Sequence, residues 1–80
     1  HTAVFARSRM ISMTKLATLV MAHGDPREAA AMGNLALDAY GPVRSKRARN
    51  DMYLLRRVTT SRATQVSEAA ELQVRISETI

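Results

Sequence analysis

The residues best suited to chemistry stand around position 25, where His23, Asp25 and Glu28 offer an imidazole and two carboxylates. Such groups can ligate a metal ion or act as a general acid and base. Metal ligands on a helix stand three or four residues apart, whereas Gly24-Asp25-Pro26 predicts a turn between His23 and Glu28. His23 is better explained as a residue of a helix's last turn, where the helix dipole favours positive charge. We therefore predict no metal site.

The rest of the chain lacks the residue combinations that catalysis needs. It contains no cysteine, and its three glycines do not form a phosphate-binding loop. The seven acidic residues are scattered, and Asp25 and Glu28 suit the start of a helix. We expect a protein that is not an enzyme and that requires no cofactor.

Positive charge is concentrated in the second half of the chain. From Arg44 to Arg62 there are seven basic residues and one acidic residue, whereas the whole chain carries a net charge of +5. Three alternatives follow: a solvated helix face, a surface that contacts nucleic-acid phosphates, or a surface that binds an acidic protein segment. In the nucleic-acid alternative the contacts are Arg44, Lys46, Arg47, Arg49, Arg56 and Arg57. Tyr53 is the one ring in this segment, which disfavours stacking on single-stranded bases.

The sequence predicts a helix on each side of the turn at residue 25. Residues 1 to 23 contain no Gly or Pro, which predicts one long first helix. Gly24 is placed to end it in the left-handed conformation that glycine adopts without steric penalty. Asp25 can cap a second helix, and Pro26 suits its first position because no N–H donor is needed there. With so short a connection, the two helices must be antiparallel.

The second helix is predicted to end at Tyr40, because Gly41-Pro42 follows. Its small residues Ala29, Gly33 and Ala36 share a face with Tyr40, so the first helix can approach this face closely. The face of the first helix expected to meet it carries Met13, Leu16, Ala17 and Val20.

The remaining chain predicts a third helix, from Pro42 to about Thr59, and a weaker fourth element. Apolar spacing indicates that the third helix packs inward through Ala48, Met52, Leu55 and Thr59. Residues 59 to 64 are rich in β-branched and hydroxyl side chains, which predicts a linker. Beyond it, Ala69, Leu72, Ile76 and Ile80 have helical spacing, while Leu72, Val74 and Ile76 alternate as in a strand. A lone strand would have nothing to pair with, so we predict a short helix from about Ser67.

A family resemblance lies across the first two predicted helices, in Leu16-Ala17, Val20, Gly24-Asp25, Ala29 and Ala36-Leu37. These residues stand at the spacings of the tetratricopeptide repeat, a 34-residue unit of two helices, which the chain resembles over about residues 10 to 43. It departs from the repeat at Met13, where a large aromatic residue is usual, and at Gly33, where a bulky one is usual. From Gly41 to Arg57 the chain also resembles the last repeat and capping helix of tetratricopeptide-like regions in actinobacterial helix-turn-helix transcriptional regulators.

The resemblance implies an all-α fold in which a tetratricopeptide-like antiparallel hairpin is followed by a basic capping helix, and the apolar spacing of the last segment, which lies outside the resemblance, adds a possible short fourth helix. Residues 1–58 would form the repeat and its cap, and residues 59–80 the linker and C-terminal helix. The groove of such a repeat would lie along the first helix, with Arg9, Met13 and Val20 as candidate contacts.

The function implied by the resemblance is binding of a protein, peptide or signal by a segment of a bacterial transcriptional regulator. DNA would then be bound by a domain upstream of residue 1, and the chain, which starts without Met, would be a piece of a longer protein. Self-association and direct nucleic-acid contact are the alternatives. No apolar run approaches the roughly 20 residues of a membrane span, so we expect no membrane contact and a cytoplasmic location.

Overall fold

The computed structural model describes residues 2–43 and 45–80, with side chains for residues 7–41 and 45–80. The described residues contain no strand and form the helices α1 (Thr2–His23), α2 (Pro26–Val43), α3 (Lys46–Arg62) and α4 (Ser67–Thr79). The predicted all-α class and the fourth helix are confirmed. Arg44 lies outside the described residues, so its predicted role in nucleic-acid contact concerns a position that the structure does not describe.

The connection between α1 and α2 is the predicted two-residue turn. Asp25 Oδ1 accepts the backbone N–H of Arg27 at 2.9 Å, which places the N-cap at Asp25 and the helix start at Pro26. The predicted conformation of Gly24 is wrong, because its backbone is not left-handed. Instead, its N–H continues the helical pattern and donates to the carbonyl oxygen of Val20 at 2.7 Å.

The boundary between α2 and α3 differs from the prediction. α2 continues past Tyr40 through Pro42, and α3 begins after Ser45, so the predicted start of α3 at Pro42 is wrong. Ser45 is the N-cap of α3, because its Oγ accepts the backbone N–H of Ala48 at 3.1 Å. A serine hydroxyl satisfies an N–H group that a helix start leaves unpaired, and this fixes the boundary.

α3 also ends later than predicted, so the linker does not begin at residue 59. Thr59 is fully buried in α3, and its hydroxyl donates to the carbonyl oxygen of Leu55 at 2.7 Å. Because this bond satisfies the hydroxyl within the helix, threonine can occupy the buried face despite its low helix propensity. The connection to α4 consists of residues 63–66.

α1 and α3 lie side by side and run parallel. Lys15 Nζ lies 3.4 Å from Asp51 Oδ1, and further along both helices Arg62 Nε lies 2.8 Å from the carbonyl oxygen of Met21. Contacts that advance in the same direction along two helices mean that the helices are parallel.

α2 and α4 are parallel by the same criterion. Near their first turns Arg27 Nε lies 3.4 Å from Glu68 Oε2, and further along Arg75 Nη1 lies 2.7 Å from Asn34 Oδ1. The molecule is therefore two helical hairpins stacked in register, with α1 and α3 in one layer and α2 and α4 in the other. Within the described part of the chain, α1 and α4 do not touch.

This arrangement differs from a single hairpin closed by a capping helix. α3 does not end the molecule alone, because α4 returns along it: Arg56 of α3 donates to Ser77 Oγ of α4 at 3.5 Å. α3 and α4 are thus a second hairpin beside the first.

The core lies between the two layers. The inward faces predicted for the last two helices are confirmed, since Ala48, Met52, Leu55 and Thr59 are buried in α3 and Ala69, Leu72 and Ile76 in α4. The predicted contact face between α1 and α2 is wrong at two positions. Leu16 is 50% exposed, and Gly33 faces Leu72 of α4 and Leu55 of α3. The missing side chain of Gly33 therefore makes room for the second hairpin.

Candidate binding groove between α1 and α3

An open groove of about 270 Å³ runs between the parallel helices α1 and α3. This α1/α3 groove is lined by Lys15, Thr18, Leu19, Asp51 and Leu54. Leu19 is 59% exposed and Leu54 is 51% exposed. Two leucines on neighbouring helices therefore give the groove an apolar floor that the fold leaves in contact with solvent.

The helical repeat explains why these leucines face outward. Consecutive residues of an α-helix point about 100° apart, so Leu55 is turned into the core while its neighbour Leu54 is turned toward the groove. On α1, Ala17 and Met21 are fully buried, and Leu19 between them lies on the outer side. The apolar residues of α1 are spread too widely for its neighbours to cover all of them.

Asp51 gives the α1/α3 groove a polar site. Its side chain is only 16% exposed, and its Oδ1 lies 3.4 Å from Lys15 Nζ. Among the described residues, Asp51 Oδ2 is buried and has no hydrogen-bond partner. An unsatisfied buried acceptor costs about 1–3 kcal/mol, so Asp51 is held in the wall of the groove at some cost to stability.

Charge is segregated between the two layers. α1 and α3 together carry nine basic residues and one acidic residue, whereas α2 and α4 carry two basic and five acidic residues. The α1/α3 groove opens on the basic layer. Complementary charge speeds encounter and suppresses wrong partners, so this surface favours an acidic ligand.

The residues predicted to contact a partner lie elsewhere on α1. Arg9 and Met13 border a separate open depression of about 250 Å³ together with Met10 and Ala39, on the flank of α1 that faces α2. Val20 is half-buried and packs against the core. The three share one stripe of α1 by their spacing, but the α1/α3 groove does not include them. Their role in binding stays a prediction.

The residues of the nucleic-acid alternative occupy different sides of α3. A side-chain hydrogen bond with Tyr40, followed by the electrostatic influence of Tyr40 and Tyr53, raises the pKa of Arg49 above its ordinary value. Arg56 lies over the Tyr53 ring at 5.2 Å and reaches Ser77 of α4. These two arginines are on the flank toward α4 and Tyr40. Lys46, Arg47, Arg49 and Arg57 are exposed to solvent, whereas Arg56 is half-buried.

Two arginines that the sequence does not single out join helices across the molecule. Arg62 donates from Nε to the carbonyl oxygen of Met21 and from Nη2 to that of Gly24, both at 2.8 Å. It thus satisfies carbonyl groups at and just beyond the end of α1 that helix formation leaves unpaired. Arg75 joins α4 to Asn34 of α2. No local pattern marks either residue, because the acceptors lie 38 to 41 positions earlier in the chain.

Other kinds of site are not seen in the described residues. No group of three or more His, Cys, Asp and Glu side chains there is placed to hold a metal ion. Nor does any described helix combine the length and apolar character needed to cross a bilayer.

Comparison of the chain with protein-family models, with curated proteins and with solved structures finds no match. Function is therefore inferred from the geometry of the chain itself.

Proposed function

We propose that this chain is a non-catalytic helical repeat segment that binds a protein or peptide ligand in the α1/α3 groove. The observation that carries the proposal is the pair of exposed leucines, Leu19 and Leu54, on the floor of a groove in the basic layer. The ligand would present an apolar side chain to these leucines and acidic side chains to the surrounding arginines and lysines.

The size of the groove favours a protein ligand over a small molecule. Pockets for small molecules usually enclose about 300–1,000 Å³ and bury most of the ligand. The α1/α3 groove, at about 270 Å³, lies just below this range, and because it is open to solvent it would leave much of a small molecule exposed. This volume suits one or two side chains of a helix that lies along the groove, a common mode of peptide recognition.

The stacked hairpins support a repeat protein of the tetratricopeptide-like kind. Side chains of the first hairpin bind side chains of the second at a similar distance along the chain. Lys15 contacts Asp51, which is 36 positions later, and Asn34 contacts Arg75, which is 41 positions later. Both separations exceed the 34 residues of the tetratricopeptide repeat, so the proposed kinship involves a longer unit. The resemblance supplies the proposed setting, a bacterial transcriptional regulator whose DNA-binding domain lies outside this chain.

Contact with nucleic acid is the second candidate. It is favoured by Lys46, Arg47 and Arg57, which are exposed on the basic layer. It is disfavoured by the positions of Arg49 and Arg56 on another flank of α3, because phosphate binding gains from cations along one track.

A binding assay separates the two candidates. The probes are a fluorescent helical peptide with leucines on one face and flanking glutamates, and a DNA duplex. We expect the peptide to bind, and Leu19→Gln or Leu54→Gln to weaken its binding roughly tenfold, because a buried leucine contributes about 1.5–3 kcal/mol. Leu35→Gln is the matched control, since Leu35 is 58% exposed on the other layer.

Salt provides the second readout of this assay. Peptide binding in an apolar groove should weaken moderately with salt, whereas binding to phosphates weakens steeply. Tight duplex binding that falls steeply with salt and is lost on replacing Lys46, Arg47 and Arg57 would favour the nucleic-acid candidate. Peptide affinity unchanged by both groove variants would contradict the proposal.

A further inference from the structure

The outer face of α4 carries an acidic and apolar ridge, bordered on one side by Arg75, whose charge is paired with Asp38 of α2. Glu71, Val74 and Glu78 recur at helical spacing, and all three are exposed, with Val74 at 52%. This α4 ridge lies on the acidic layer, opposite the α1/α3 groove. It has the features required of the groove's ligand: a helix, an exposed apolar side chain, and a glutamate on each side of it.

We propose that α4 of a second copy of this chain occupies the α1/α3 groove. This inference rests on the proposed function and names the partner of the same site. In the complex, Val74 of one copy packs on Leu19 and Leu54 of the other, and the glutamates of the α4 ridge face the arginines beside Leu54.

The spacing of the charges agrees with this pairing. Glu71 and Glu78 are seven residues apart, which corresponds to about 10 Å along a helix. Arg47 and Arg57 stand on either side of Leu54 on α3 and are ten residues apart, or about 15 Å. Arginine side chains are long enough to span this difference, so both ion pairs can form around one apolar contact.

The two surfaces cannot meet within one molecule. The α4 ridge and the α1/α3 groove belong to opposite layers, and α1 and α4 do not touch among the described residues. Every copy therefore offers one groove and one ridge at the same time. A contact between two different surfaces is heterologous, and it produces a growing head-to-tail chain or a closed ring rather than a twofold dimer.

Two variants of the full chain test the proposal. Leu54→Glu disables the α1/α3 groove, and Val74→Glu disables the α4 ridge. Leu54→Glu places a like charge against the α4 ridge, and Val74→Glu removes the apolar contact of the ridge. The two positions are equally exposed, at 51% and 52%, so neither substitution disturbs the core. Leu35→Glu is the control on α2, and circular dichroism establishes that every variant is folded.

Sedimentation equilibrium is the measurement. The unmodified chain should show a mass that rises beyond the dimer with concentration and falls with salt, because exposed ion pairs are screened. Each groove or ridge variant should be monomeric, and an equimolar mixture of the two should stop at a heterodimer. Leu35→Glu should associate like the unmodified chain.

Several results would overturn the proposal. For the unmodified chain these are a mass that stays monomeric at every concentration, or a dimer that does not grow. For the variants they are a mixture of Leu54→Glu and Val74→Glu that stays monomeric, or loss of association in Leu35→Glu. If association fails while the glutamate-flanked peptide still binds the groove, the second copy is excluded as partner and the proposed function stands. If both fail, the proposed function fails as well.

Discussion

Gly33 of α2 lies against Leu72 of α4, so that a Cβ atom at Gly33 would come within 2.6 Å of Leu72 Cδ2. Leu72 is only 1% exposed, which leaves its side chain little space to move. The absence of a side chain at one position thus sets how closely the second hairpin stacks on the first. This close contact between α2 and α4 holds the second hairpin against the first, so that α3 lies beside α1. The α1/α3 groove forms between these two helices.

Gly33→Ala should destabilise the protein although alanine is the better helix former. Overpacking a core costs about 1–3 kcal/mol, while alanine gains about 1 kcal/mol over glycine in a helix. In a Leu72→Ala background the clash is removed, so the same substitution should become stabilising. Thermal unfolding of the unmodified chain, the two single variants and the double variant measures how the effect of Gly33→Ala depends on Leu72. Equal effects of Gly33→Ala in both backgrounds would contradict the contact.

Arg62→Met should destabilise the protein because it removes the hydrogen bonds that cap α1. Bonds that involve a charged group contribute about 1.5–3 kcal/mol when buried, and for a half-buried side chain we expect about 1–2 kcal/mol. That loss lowers the melting temperature of a domain of this size by about 4–8 °C per kcal/mol. Lys46→Met is the control at an exposed position of α3 and should have an effect within about 0.5 kcal/mol. Equal melting temperatures for both variants would refute the capping role.

Asp51→Ala should leave stability unchanged or raise it. The substitution removes an oxygen that is buried without a partner, and alanine is a better helix former than aspartate. Its ion pair with Lys15 is long, and Lys15 is 56% exposed, so little is lost with it. Asp38→Ala provides the contrast, because Asp38 accepts a short hydrogen bond from Arg75 at 2.6 Å; both side chains are partly exposed, so its loss should cost at most about 1 kcal/mol. A lower melting temperature for Asp51→Ala than for Asp38→Ala would show that Asp51 serves the fold.

The sequence is sufficient to predict which segments are helical but not how the two hairpins stack. The local signal is strong at Asp25, which caps α2, whereas the start of α4 near Ser67 was predicted from apolar spacing alone; both helix starts agree with the structure. The stacking depends on Gly33 and Leu72, which are 39 positions apart. A small residue in a helix indicates that some neighbour approaches closely, but it does not say which one. For that reason the sequence alone pairs Gly33 with α1, whereas in the structure it faces Leu72 and Leu55 of the second hairpin.

The site is harder to predict than the fold for a related reason. Leu19 and Leu54 look like core residues in the sequence, because each stands among other apolar residues. Only the parallel arrangement of α1 and α3 shows that both lie outside the core and beside each other. Similarly, the charge contrast between the layers appears only once α1 is grouped with α3. The net charge of the chain, +5, conceals it.

The proposed binding surface is tested most directly by NMR of the ¹⁵N-labelled chain titrated with the glutamate-flanked helical peptide. We predict that backbone amide signals around Leu19 and Leu54 shift in proportion to the bound fraction, while the signal of Leu35 on the other layer stays in place. Shifts confined to α2 and α4, or no shift at about 1 mM peptide, would contradict a ligand site in the α1/α3 groove.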